Sequence, residues 1–90
     1  MNYVIRSKQD GKYLVARIAK ENNTEASYLL LFKEDYDALS YINTHGKTFS
    51  DRLSVESTSS TQIKGLLKRW GYAGIGLVKD PLIPEIEFIV

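Results

Sequence analysis

The sequence predicts an α+β fold: a two-layer α/β sandwich, a mixed sheet of about five to six strands with two helices on one face, in the order ββ-β-α-β-α-β(β). Three observations lead there. Short apolar runs rich in β-branched and aromatic residues recur along the chain, each bounded by turn formers. Two other segments change to a helical period, with apolar residues three and four apart. These helical segments alternate with the later strands, which makes the connections right-handed crossovers.

Tyr3-Val4-Ile5 is the first apolar run, and KYLVARIA (12–19) is the second. Asp10-Gly11 between them predicts an antiparallel hairpin, because glycine accepts a positive φ without steric cost. KENNTEAS (20–27) is polar and reads as a mobile loop. The unbroken run Tyr28-Leu29-Leu30-Leu31-Phe32 fits a buried central strand. In the next segment Tyr36, Leu39 and Ile42, with Ala38 beside them, form a helical stripe. Glu34, Asp35 and Asp37 crowd its first turn, where carboxylates meet the positive end of the helix dipole, and Gly46 is a natural stop. Residues 47–51 read as a loop, and Arg52–Glu56 alternates as a half-buried strand should.

Ser59 with Gln62 three residues later matches a capping box and opens a second helix. Ile63, Leu66, Leu67 and Trp70 form its stripe, which assigns Trp70 to the core. Gly65 in the middle costs about 1 kcal/mol against alanine and suggests close packing. Gly71 sits where a left-handed cap belongs. Ile75–Val78 reads as a short strand, Asp80-Pro81 and Pro84 as a tight connection, and Glu85–Val90 as the last strand.

A chain of 90 residues makes one domain, 1–90. It contains no cysteine, which removes disulfides, thiolate metal sites and a cysteine nucleophile together and fits a reducing compartment. The formal charge of +1 provides no global field to steer a polyanion. No apolar run approaches the roughly 18 residues of a membrane span, and the polar first ten positions do not suit a signal peptide. The expectation is a soluble, cytoplasmic protein with no membrane partner.

The motifs carry little chemistry. Gly71, Gly74 and Gly76 follow a helix and precede a strand, the reverse of a dinucleotide loop, so they read as a cap and a tight turn. Lys64, Lys68, Arg69 and Tyr72 are candidate nucleic-acid contacts. Against this, Lys68 and Arg69 in a last helical turn also complement the dipole. His45 has no nucleophile at a diagnostic spacing, although Ser50 and Asp51 follow it closely. Glu34, Asp35 and Asp37 suit a helix start as well as a hard cation, and Glu85 with Glu87 suits a solvated strand face. No catalytic residue, metal ligand or cofactor is assigned. The sheet is the less ordinary feature, because several strands are apolar on both faces while a two-layer sandwich needs one. An uncovered apolar face marks an interface, with Tyr3, Tyr13, Tyr28 and Phe88 as candidates.

YLLLFKEDYDALSYINTH (28–45) and LLKRWGYAGIGLVKDPLIPEIEFI (66–89) resemble small bacterial α/β proteins of a cyanobacterial type that have no assigned activity. The resemblance covers about two thirds of the chain. It implies an intact single domain in a bacterial cytoplasm and transfers no functional residues. The expected function is a non-catalytic protein–protein interaction or assembly module, with an unidentified protein partner or as a homo-oligomer. The alternatives are a small nucleic-acid-binding domain, and a small-ligand sensor or enzyme with an unrecognised site.

Overall fold

The computed structural model describes residues 1–45, 51–83 and 85–89. Eight elements follow one another: β1 (Asn2–Ser7), β2 (Val15–Ala19), β3 (Glu25–Phe32), α1 (Asp35–His45), β4 (Leu53–Thr58), α2 (Ser60–Trp70), β5 (Gly74–Asp80) and β6 (Glu85–Ile89). This is the α+β order expected from the sequence, with a mixed sheet of six strands and two helices. The sheet runs β4-β1-β3-β5-β6, and β2 also pairs with β3. The pair β3–β5 is parallel and every other pair is antiparallel. The expected terminator Gly46, most of the 47–51 loop, Pro84 and Val90 lie outside the described residues.

The hairpin at Asp10-Gly11 is confined to its turn. Gly11 takes φ +72°, and the Ser7 N–H bonds the Lys12 carbonyl at 2.8 Å. One bridge, Arg6 to Tyr13, joins the two arms. The chain then leaves β1 and pairs Val15–Ala19 with Leu29–Glu25 of β3. β3 is long enough to serve both neighbours on one side, with β1 reaching it only at Tyr3 opposite Phe32. The expected loop over 20–27 shortens to a tight turn. Asn23 adopts φ 63°, the Lys20 N–H bonds the Thr24 carbonyl at 2.7 Å, and β3 starts at Glu25.

One expectation is corrected: the helices do not share a face. Ala38, Tyr41 and Ile42 of α1 pack with Ile5, Leu30, Phe32 and Val78. Ile63, Leu66 and Leu67 of α2 pack with Val4, Leu29 and Leu31. Neighbouring strand residues point to opposite faces, so these two sets lie on opposite sides of the sheet. The topology requires it. β3, β4 and β5 are mutually parallel. The crossover β3–α1–β4 travels toward one edge and β4–α2–β5 travels back. Two right-handed crossovers in opposite directions put their helices on opposite faces. The doubly apolar strands therefore mark a central sheet in three layers.

The stripe of α1 is also revised. Tyr36 and Leu39 are exposed, and Ala38, Tyr41 and Ile42 face inward. The small Ala38 lets the helix axis approach the sheet, and the Tyr41 ring meets Phe32 edge to face at 5.4 Å. In α2 the expected cap is present in full. Ser59 Oγ accepts from the Gln62 N–H at 3.2 Å, and the Ser59 N–H donates to Gln62 Oε1 at 2.9 Å. Gly71 closes the helix with φ 70° and ψ 33°. Trp70, expected in the core, is 39% exposed, with its ring against Tyr13 and Tyr72. Gly65 is not a close-packing site, since a Cβ there would meet nothing within 4 Å. Among the described residues no helix is long and apolar enough to cross a membrane.

Candidate functional site

The four candidate interface residues divide between the two faces. Tyr28 and Phe88 come together. Phe88 lies opposite Gly76 in the β5–β6 pair, and Tyr28 lies opposite Gly74 in the β3–β5 pair. Both fall on the sheet face that carries α1. Their rings meet edge to face with centroids 5.1 Å apart, a favoured geometry for aromatic quadrupoles. Gly76, opposite Phe88, leaves room for Ile86 and Leu30. A Cβ there would lie 3.1 Å from Ile86 Cγ2, 3.2 Å from Leu30 Cδ2 and 3.5 Å from the Phe88 ring. Helix α1 packs mainly over β4, β1 and β3 and reaches β5 at Val78. Phe88 is 43% exposed, and Ile18 on β2 is 38% exposed on the same face. Among the described residues β6 has a strand partner on one side only. Its outer edge therefore adjoins the open apolar area.

Tyr3 packs against the cluster beneath α1. Tyr13 sits on the α2 face, 6.0 Å from Trp70 in an edge-to-face pair, with the Arg6 guanidinium 4.9 Å above its ring.

The candidate nucleic-acid contacts do not form one patch. Lys64 lines a shallow groove with Ile63, Leu67, Ile75 and Ile89. Arg69 lines a different groove, with Arg6, Tyr13, Glu56, Gln62 and Gly65, of about 550 Å³. Lys68 is exposed one turn beyond Lys64. Tyr72 stacks with Trp70, the planes 11° apart and the centroids at 6.3 Å, and burial raises its phenol above the ordinary range.

His45 closes the end of α1. Its Nε2 lies 3.0 Å from the Pro81 carbonyl, and its ring tilts against Tyr41 at 4.8 Å. Because a carbonyl only accepts, Nε2 is the donor in this hydrogen bond. A cleft of about 290 Å³ opens beside it, with apolar walls of Leu14, Ile42 and Leu53 and polar groups from Ser7, Tyr41 and Arg52. Burial raises the Tyr41 phenol as well. Asp51 is exposed, and Ser50 lies outside the described residues. The carboxylates gather no metal site: among the described residues no group of three or more histidine, aspartate or glutamate side chains could hold an ion. Glu87 pairs with Lys79 on the neighbouring strand.

Sequence reasoning missed the groove containing Arg69. Arg6 and Glu56 reach it because the β1–β4 register sets Val4 opposite Glu56, which puts Glu56 on the face of Val4 and Arg6. Pairing register between distant strands leaves no local signal. From the sequence Gly65 read only as a close-packing site. Compared with known proteins, the chain matches no family model, no curated protein and no solved structure.

Proposed function

We propose that the chain is a non-catalytic protein-interaction or assembly module that docks a protein partner, or a second copy, on the α1 face at its β6 edge. The single observation that carries this reading is the pair of exposed Phe88 and half-buried Tyr28 beside the edge of β6 that, among the described residues, has no strand partner. An apolar area of this kind, ending at a strand edge, is suited to burial against another chain. A cysteine-free composition suits a reducing compartment such as a bacterial cytoplasm.

The rival is nucleic-acid binding. Exposure of Trp70 beside Arg69 favours it, and the division of Lys64 and Arg69 between two grooves weighs against it.

Sedimentation of the purified chain, together with capture from native lysate, tests the reading. The wild type forms a homo-oligomer or retains a defined protein at high salt, and Phe88→Glu abolishes that association with an unchanged circular dichroism spectrum. A monomer that captures nothing defeats the proposal, as does an association indifferent to Phe88→Glu. Material absorbing at 260 nm and released at modest salt transfers the reading to nucleic acid.

A further inference from the structure

We propose that the groove between α2 and the β1–β4 pair binds a small organic oxyanion, a carboxylate or a phosphate monoester carried on a flat ring. The groove lies on the α2 face, opposite Tyr28 and Phe88, so it stands or falls independently of the docking surface.

The argument begins at Gly65. Glycine weakens a helix interior relative to alanine, and a structural reason for keeping it is normally a close neighbour or a positive φ. Gly65 has neither: it sits in the middle of α2, and a Cβ there would meet nothing within 4 Å. Gly65 lines the groove, and the space around it is open to a side chain. The missing side chain keeps one wall of the groove flat and accessible.

The other walls supply the recognition chemistry. Arg69 follows Gly65 by four positions, on the same side of the helix. Arg6 and Glu56 face each other at 3.6 Å, so their charges largely cancel. Among the described residues Arg69 has no ion-pair partner, which leaves the groove with one uncompensated guanidinium. That planar fork of donors matches the two oxygens of a carboxylate or phosphate. Arg6 is held in place by a 2.9 Å bond from its Nε to the Gly11 carbonyl and by its stacking on Tyr13. Tyr13 is fixed in turn by Trp70. A preorganised aromatic wall of this kind suits a flat ring attached to the anion. Val4 and Leu66 add apolar contact to the polar lining of Ser57, Thr58 and Gln62, which fits an amphipathic small molecule of that class.

The test titrates the full chain with phenyl phosphate, with benzoate and with neutral benzamide. Trp70, the single tryptophan, reports by fluorescence and the backbone amides report by NMR. At least one of the two anions produces saturable shifts at Arg6, Glu56 and Gly65. Benzamide binds about tenfold more weakly or worse, as expected for loss of a charge-assisted bidentate contact. Gly65→Ala keeps the fold and still weakens binding about tenfold, because its methyl group fills the wall. Arg69→Gln weakens binding to a similar degree. Saturation by phenyl phosphate alone assigns a phosphate monoester, and saturation by benzoate alone assigns a carboxylate. The proposal fails if neither anion saturates, if benzamide matches them, if Gly65→Ala binds like the wild type, or if the shifts map to the cleft beside His45.

Discussion

Lys79 and Glu87 show what a single pair contributes where two strands meet. The hydrogen bond between them, followed by their charge attraction, lowers the Glu87 carboxyl below its ordinary 4.5 and raises the Lys79 ammonium above its ordinary 10.5. A depressed carboxylate stabilises the fold at pH values above its unfolded midpoint. That contribution is lost as pH falls through the lower, folded midpoint. Both side chains are about half exposed, so salt screens the effect. In an NMR titration Glu87 is expected to ionise below 4.5, and Lys79→Met should return its midpoint toward that value. An unchanged midpoint in the variant would show that the pair does not exist in solution. The sequence showed that Glu85 and Glu87 share a strand and suit a solvated face. It could not show Lys79 as a partner, because that requires the register Leu77 opposite Glu87.

The two helices differ in how much of them is local. The boundaries of α2 depend on Ser59, Gln62 and Gly71, whose bonds span three to five residues, and these were legible from the sequence. Ser59→Ala leaves the Gln62 N–H without its side-chain acceptor and is expected to cost about 1 kcal/mol in denaturant unfolding. A change within experimental error would mean that water replaces the cap at no cost. The inward side of α1 was not legible. Tyr36-Leu39-Ile42 and Ala38-Tyr41-Ile42 both satisfy a helical period. Only the sheet beneath chooses between them, and it selects the stripe with alanine at the point of closest approach. Tyr36 is left in water among Glu34, Asp37 and Asp35, whose charges raise its phenol. The exposure of Trp70 has the same kind of cause: helical spacing puts it on the stripe, but only the tertiary fold decides how fully its neighbours Tyr13 and Tyr72 cover it.

At the scale of the molecule, one sheet carries a helix on each face, and this gives a sharp test. In a two-layer sandwich only one of two adjacent central-strand residues would be fully covered. Here Leu30 is 2% exposed on the α1 face and Leu31 is 2% exposed on the α2 face. Leu30→Ala and Leu31→Ala are each expected to lower unfolding stability by about 2–5 kcal/mol. A change smaller than about 1 kcal/mol in either variant would contradict the three-layer arrangement. The order of elements along the chain and the doubly apolar strands were visible in the sequence, and they led to an uncovered face. What removed most of that face is the direction in which each crossover travels, a property of the finished sheet. A reduced version survives where α1 falls short of β6, at Tyr28 and Phe88. The interior position of β1 has a kinetic consequence as well. Its long ladder is with β4, so Asn2 meets Thr58 and Ser7 meets Leu53. On the ribosome, β1 has only its Arg6–Tyr13 bridge and its Tyr3–Phe32 pairing until β4 has emerged, while the neighbouring β2–β3 ladder can already close. Assembly of the sheet is therefore paced by this late closure, and a nascent chain stalled before Leu53 would expose Val4 and Ile5 to any chaperone that reads short apolar segments.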